Sequence, residues 1–281
     1  MTTMPTWMPT GGPEEHRGST ELTPEIMANF RNHSVVGGHA KWPNQTDNVD
    51  EQGFFIPDDN GEKAAQEVRN MYHTLLQMSP NPEMFRRHVK DDGSFGMRTW
   101  KVWDRNSNSS ALFTEQVSVS TTSIFNAYYA SVLGGLVRQI GGRVVDIGGG
   151  YGHLARELSS FCEQVSVVEL PANIPLAEAY LADTDVKVLH PADSFEADII
   201  VNTMSFQHMT QANLEYYTKK IVDSGAKAVY TVNRMTKRDP TDVVIYEYPL
   251  WEHFFPIHVK GFGQVWQEWV AQRKPESGKV S

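Results

Sequence analysis

The stretch VVDIGGGYGHLARELSSF, residues 144–161, constrains the fold more than any other part of the chain. An apolar run reaches Ile147, four glycines fall within the five positions from Gly148 to Gly152, and apolar residues at helical spacing follow directly. Glycines in that number permit positive φ and let another backbone or a ligand come close. A strand passing through such a turn into a helix is the opening unit of an open α/β sheet. The turn lies at the carboxyl end of the strand, where these sheets admit ligands.

The residues after Gly142 sustain that reading. Short apolar runs at 144–147, 165–169, 186–189, 198–202 and 226–232 have the size of buried strands, and the intervals between them accommodate crossover helices. The alternation predicts a doubly wound, mostly parallel, Rossmann-like sheet. Segments 243–248 and 264–273 read as a closing antiparallel pair joined by the aromatic loop PLWEHFFPIHVKGFG.

Upstream the rhythm is helical. Val68, Met71, Tyr72, Leu75 and Leu76 mark one face of a helix over 62–78, a second helix restarts at Pro82, and a third runs over 122–140 and stops at Gly141 and Gly142. Residues 1–60, rich in Pro, Gly, Asn and Asp, read as a loosely packed arm, interrupted by one helix in LTPEIMANFRNH that Thr23 caps and Pro24 begins. The expected organisation is a leader over 1–60, an N-terminal helical cap over 61–141 and a ligand-binding α/β domain over 142–281.

A chain of 281 residues buries a sizeable core without covalent staples, and its one cysteine, Cys162, has no intrachain partner. A reduced, buried thiol and a cytoplasmic location are expected. No run of about 18 apolar residues occurs, and no basic segment leads into an apolar block at the N-terminus, so neither a membrane span nor a secretory signal is expected. Lys and Arg number 25 against 34 Asp and Glu, and the net charge of -9 is a poor match to nucleic acid or an anionic membrane. The short basic segment NRMTKR, 233–238, reads as a solvated loop.

The identity of the ligand follows from the turn. A G-x-G-x-x-G dinucleotide fingerprint starting at Gly148 or Gly150 needs glycine at position 153 or 155, where His153 and Ala155 stand, which disfavours a nicotinamide-dependent oxidoreductase. The chain instead alternates Gly148, Gly150 and Gly152 after Asp146. That pattern suits a ligand without a pyrophosphate, whose amino-acid part lies over the turn while the acid meets its ammonium. S-adenosylmethionine is such a ligand. Glu169, at the tip of the second strand, is placed for its ribose hydroxyls, and Asp193, in HPADSF past the third, for the exocyclic amine of its adenine. Asp193 reads equally well as a helix cap.

The segments VVDIGGGYGHLARELS, VVELPANIPLAEAYL, IVNTMSFQHM, YYTKKI and AVYTVNR together resemble a family of sugar O-methyltransferases, bacterial class I methyltransferases linked to natural-product or cell-surface sugars. The resemblance spans roughly residues 143–234. The family's turn reads acid, Ile, three glycines, Tyr and Gly, and its second strand ends in an acid followed by Leu-Pro. Asp146, Gly148, Gly149, Gly150, Tyr151, Gly152, Glu169, Leu170 and Pro171 match it. The resemblance implies a class I methyltransferase sheet, S-adenosylmethionine as cofactor and a sugar or glycoside hydroxyl as acceptor. One departure stands out: the family tends to carry Glu after Ser-Phe-Gln, where this chain has His208.

A protonated sugar hydroxyl is a poor nucleophile, so a positioned base is expected. His208 follows the fourth strand, and its imidazole titrates near neutrality, which makes it the candidate catalytic base; a helix-start histidine gives the same letters. Gln207 is a candidate to orient the acceptor, and His253 and His258, in the aromatic loop, are candidates to reach it. Tyr151 either flanks the sulfonium or packs. Asn202, taken as a cofactor ligand, and Asn233 either hold ligand groups or tie loop backbone. His190, Asp193, His208 and Glu247 are the residues that would have to converge on a divalent metal; no metal is assigned, and metal dependence and oligomeric state stay open. Two alternatives remain: a methyltransferase for a non-sugar oxygen or nitrogen of a small specialised metabolite, and a cofactor-fold binding protein without turnover.

Overall fold

The computed structural model describes residues 22–33, 50–52, 54, 61–104, 115–240, 242–262 and 264–275. The chain packs as two compact units that divide between Gly134 and Gly135.

The N-terminal unit begins with the helix expected at Pro24. In α1 (Pro24–Asn29) Thr23 Oγ1 accepts the Ile26 N–H at 3.2 Å. The residues that follow are tightly packed, unlike the loose arm expected over 1–60. Phe30 and Arg31 are buried, and the Arg31 guanidinium forks onto both oxygens of Asp91 at 2.6 and 3.2 Å, with Ser120 Oγ donating to the same carboxylate at 2.6 Å. A bidentate pair out of water is costly to break, which ties this segment to the unit. Further along the expected leader, Phe54 is buried and bridges antiparallel to His33; beyond residues 22–33, 50–52 and 54 the leader lies outside the described residues.

Helices α2 (Gly61–Met78), α3 (Pro82–His88) and α4 (Thr121–Ile140) match the apolar spacing. Between them a hairpin interrupts the helical reading. Strands β1 (Trp100–Asp104) and β2 (Glu115–Val119) pair antiparallel from Trp100 opposite Val119 to Asp104 opposite Glu115. Five residues carry little periodicity, so strands this short leave a weak trace in sequence.

The C-terminal unit holds β3 (Arg143–Ile147), α5 (His153–Ser159), β4 (Gln164–Val168), α6 (Ile174–Leu181), β5 (Lys187–Leu189), β6 (Ile199–Thr203), α7 (Gln211–Asp223), β7 (Ala228–Arg234), β8 (Phe254–Phe262) and β9 (Trp266–Arg273). These form one sheet in the order β5-β4-β3-β6-β7-β9-β8. β3 to β7 are parallel, and β9 runs antiparallel to both its neighbours. This is a doubly wound, Rossmann-like α/β sheet with flanking helices. From β3 the chain steps to β4 and β5 on one side, then returns to β6 on the other. The direction of winding reverses between β3 and β6, the place where sheets of this kind form a ligand crevice at their carboxyl edge.

Val145, Ile147, Ile200 and Val229 share one core with Leu214, Tyr217 and Ile221 of α7 and with Phe206, Tyr248 and Phe254. Thr210 Oγ1 caps α7 by accepting the Asn213 N–H at 3.2 Å. Cys162 is a free, half-buried cysteine whose thiol is pushed up to about 12 by burial. Among the described residues no helix is long and apolar enough to cross a membrane.

The tail corrects one expectation. Residues 243–248 do not form a strand: Val244, Ile245 and Tyr248 are buried while Tyr246 and Glu247 are exposed, a helical spacing, and Ile245–Glu247 makes a 3₁₀ turn. The first strand of the closing pair is β8, within the stretch expected as an aromatic loop. It sits at the sheet edge with Phe255, Ile257 and Val259 exposed, so burial on a shared face does not mark it.

Candidate functional site

The carboxyl edge is built around the glycine turn. Gly148 N–H donates to Val168 O at 2.8 Å as the chain leaves β3, and Gly148, Gly150 and Gly152 have φ of +72°, +63° and +88°. A Cβ on Gly148 would stand 1.9 Å from Ser205 Oγ, so the turn and the loop after β6 touch there. Gly149 and Gly152 are crowded too, though less tightly, at 2.6 Å by Asp146 Oδ2 and 2.5 Å by Leu181 Cδ1. Gly150 differs: a Cβ there would meet nothing within 4 Å. The turn is packed on its flanks and open at its tip.

Two carboxylates stand beside this turn in different states. Glu169 is buried and takes Gly150 N–H on Oε2 at 2.8 Å, with Leu170 N–H at 2.9 Å and Asn173 Nδ2 at 2.8 Å on Oε1. Asp146 is 1% exposed, and neither of its oxygens has a hydrogen-bond partner. Burial, and secondarily the charge of Glu169, pushes its carboxyl up to about 7. A buried carboxylate without a donor is costly, and a cationic or N–H-bearing ligand would relieve it.

The third acid is placed differently. Asp193 is exposed and folds back on its own turn, Oδ2 accepting the His190 N–H at 2.8 Å while Asp193 N–H donates to His190 O at 2.9 Å. Its side chain closes this turn, and since no helix lies between β5 and β6 among the described residues, it is not the helix cap that the sequence equally allowed. Tyr151 is buried and packs edge-to-face on Tyr180 with centroids 4.9 Å apart.

After β6 the backbone turns sharply at Met204, with φ +59°. Asn202 holds this corner: its Nδ2 donates to Ile147 O at 2.7 Å and its Oδ1 accepts from Phe206 N–H at 3.1 Å and Asn233 Nδ2 at 2.8 Å. Its carboxamide is thus spent on joining the ends of β3, β6 and β7, and Asn233 shares the task by accepting the Gln207 N–H at 3.2 Å.

Gln207 and His208 form a 3₁₀ turn with Phe206. The Arg234 N–H donates to Gln207 Oε1 at 3.0 Å, and since a backbone N–H can only donate, the amide orientation is fixed. The Gln207 NH₂ then faces His208 Nε2 at 3.2 Å, which places the ring proton on Nδ1. Gln207 therefore orients His208. Burial first, then the charges of Arg234 and Arg238, holds the His208 imidazole below its ordinary value against the opposing effect of Asp242. A neutral imidazole with a defined lone pair is the form a general base requires.

Sequence reasoning passed over Arg234. It is buried, donates to Gln207 O at 2.9 Å and pairs with Asp242 at 3.2 Å, so it orders the loop bearing His208. Its position at the end of β7, beside Asn233, was the available signal.

His253 does not belong to this site. Phe254 pairs with Arg273, Gln272 pairs with Ala228, and Lys274 N–H donates to His253 O at 2.9 Å, which puts His253 at the amino edge, the opposite end of the sheet. The unforeseen strand β8 carries it there. His258 lies in that strand, exposed, four strand spacings from Asp146, or about 19 Å at ~4.8 Å per spacing. Among the described residues no three His, Cys, Asp or Glu side chains gather as metal ligands, so His190, Asp193, His208 and Glu247 do not converge.

No family model and no curated protein matches the chain. Solved structures overlap part of it. The PH0226 protein from Pyrococcus horikoshii OT3 is 15% identical over 54% of this chain and 92% of its own, with a TM-score of 0.44. Magnesium protoporphyrin IX methyltransferase from Synechocystis PCC 6803, solved with bound SAH, is 11% identical over 56% and 89%, also at 0.44. Human N-acetylserotonin methyltransferase in complex with SAM is 16% identical over 54% of each chain, at 0.40. The fold assignment rests on the chain's own strand order and not on these overlaps.

Proposed function

We propose that the crevice at the carboxyl edge binds S-adenosylmethionine and that the protein is an S-adenosylmethionine-dependent methyltransferase, acting on a hydroxyl of a small molecule, with a sugar or glycoside as the first acceptor. One observation carries this reading: Asp146 is buried with both oxygens unbonded, at the foot of a turn that Gly150 leaves open. The residues fit the ligand. Asp146 supplies a carboxylate in need of a cation, matched by the ammonium of the cofactor's amino-acid part. Glu169, held in place by three N–H donors, is a pre-set acceptor for ribose hydroxyls.

When bound, S-adenosylmethionine would supply an electrophilic methyl group on its sulfonium, which passes to an incoming oxygen or nitrogen as the C–S bond breaks and the thioether S-adenosylhomocysteine leaves. His208 takes the proton of the acceptor hydroxyl on Nε2 when the acceptor displaces the Gln207 NH₂ from that lone pair. The sugar acceptor is supported by the resemblance of the segments around Asp146 and Glu169, and a small molecule in place of nucleic acid by the net charge of -9. His208, where the family tends to carry Glu, favours a second reading: the acceptor is a non-sugar oxygen or nitrogen of a small metabolite.

The test is a mass-spectrometric methyl-transfer screen against glycosides, nucleotide sugars, phenols and hydroxamates, with and without magnesium. We expect methylation of a glycoside, and a loss of about 10² to 10⁴ in turnover for His208→Ala with cofactor affinity unchanged. Because the His208 pKa is lowered, the rate should rise with pH and reach its plateau at a lower pH than an imidazole of ordinary pKa would give. Methylation of non-sugars alone selects the second reading. Tight cofactor binding with no transfer to any acceptor makes the protein a binding module, and no cofactor binding overturns the proposal.

A further inference from the structure

The N-terminal unit contains a groove that the methyltransferase reading does not use. A cavity of about 500 Å³ is lined by His73, Leu76, Gln77, Trp103 and Asp104. That volume falls within the range of small-molecule sites, roughly 300 to 1,000 Å³. The spacing of His73, Leu76 and Gln77 puts all three on one face of α2. Trp103 and Asp104 close β1, and their alternation turns the indole outward, 54% exposed, and the carboxylate inward.

The inner wall holds a chemical asymmetry. The Asp104 side chain is 9% exposed, and Arg86 Nε donates to its Oδ2 at 2.8 Å. Oδ1 is buried with no hydrogen-bond partner. An acceptor left bare in this way is unfavourable, and a donor from outside would recover the cost. Arg86 also faces Glu83 at 3.4 Å, so its charge is shared between two carboxylates. Beside it the Trp103 face attracts cations, and Leu76 offers an apolar rest for the body of a ligand.

We propose that this groove binds a small organic ammonium ion carrying at least one N–H, which donates to Asp104 Oδ1 while its apolar body lies against Trp103 and Leu76. The N–H requirement separates primary and secondary amines from quaternary ones, which bring charge without a donor. Arg86 stays on Oδ2, and the ligand completes the coordination of the carboxylate. The site is independent of cofactor binding, so its failure leaves the methyltransferase reading intact and the reverse.

The experiment is titration calorimetry of the full chain, without S-adenosylmethionine, using phenethylamine, 2-phenylethanol and phenethyltrimethylammonium. Loss of a charge-assisted hydrogen bond is expected to weaken binding about 10- to 100-fold for the alcohol and the quaternary ion relative to the amine. Trp103→Ala, at an exposed position that the fold tolerates, should weaken the amine about 3- to 5-fold. Asp104→Asn should bring amine and alcohol to similar affinity. No amine binding at millimolar concentration, equal binding of amine and alcohol by the wild type, or amine binding unchanged in Trp103→Ala would each overturn the proposal; if Asp104→Asn does not fold, the wild-type ligand series and Trp103→Ala still decide it.

Discussion

Two aspartates stand at opposite edges of the same sheet, and the chain treats them in opposite ways. Asp198, entering β6 at the amino edge, accepts from Arg143 N, Nε and Nη2 at 3.2 Å each and from Lys227 Nζ at 2.9 Å. The Arg143 hydrogen bonds, followed by those of Lys227 and the backbone, hold its carboxyl well below the usual carboxylate range. Asp146, near the carboxyl end of β3, has no donor and rises to about 7. Both residues are nearly closed to solvent, at 1% and 5% exposed, but Asp146 lies deeper, so burial acts on it more strongly and no partner offsets it, whereas Arg143 and Lys227 offset the burial of Asp198. A carboxylate that closes the fold receives its donors from the fold. One that is buried and left bare awaits them from outside.

The largest effect should come from removing the charge at the bare site. The folded pKa of Asp146 lies above the unfolded 3.8, so the native state holds the proton more tightly, and ionising the carboxyl destabilises the ligand-free protein. The cost is absent below about pH 4, grows as pH rises to about 7 and is constant above, reaching on the order of 4 kcal/mol at 1.36 kcal/mol per unit. Asp146→Asn should therefore be more stable than wild type at pH 8, with the advantage shrinking toward pH 5; chemical denaturation at the two pH values measures it. An equal loss of stability at both would erase the contrast between the edges.

The turn itself sharpens the comparison next. Gly148→Ala combines positive φ with a contact on Ser205 and should cost about 3 kcal/mol of stability, whereas Gly150→Ala meets only open space and should cost about 1 kcal/mol for its backbone. Thermal melts of the two variants would separate a packed flank from an open tip.

Asp198→Asn should have the smallest of these effects, about 0.5–1 kcal/mol, because Arg143 and Lys227 are substantially exposed and water screens the loss. Its folded pKa lies below the unfolded one, so this stabilisation is present above about pH 4 and is lost on acidification. The variant should keep its cofactor site untouched.

Much of this was legible in sequence, for identifiable reasons. Four of the five parallel strands, β3, β4, β6 and β7, are buried on both faces and announce themselves as apolar runs, and Asp146 and Glu169 stand at strand ends that fall within two residues of expectation. Edge elements were not legible: β8 exposes Phe255, Ile257 and Val259, and the five-residue strands of the β1–β2 hairpin are too short for a period to emerge. The misplacement of His253 followed from the missed β8. Asn202 and Gln207 carry side chains suited to ligands or to backbone, and only three-dimensional proximity, to Ile147 and Asn233 or to Arg234 and His208, shows them engaged by the protein.

The most direct measurement is calorimetric titration of S-adenosylmethionine into wild type, Asp146→Asn and Asp198→Asn at pH 8. We expect wild type and Asp198→Asn to bind alike and Asp146→Asn to bind about 10- to 100-fold more weakly, the value of one charge-assisted hydrogen bond. Equal binding by Asp146→Asn, or no binding by wild type, would contradict the assignment of the bare carboxylate to the cofactor.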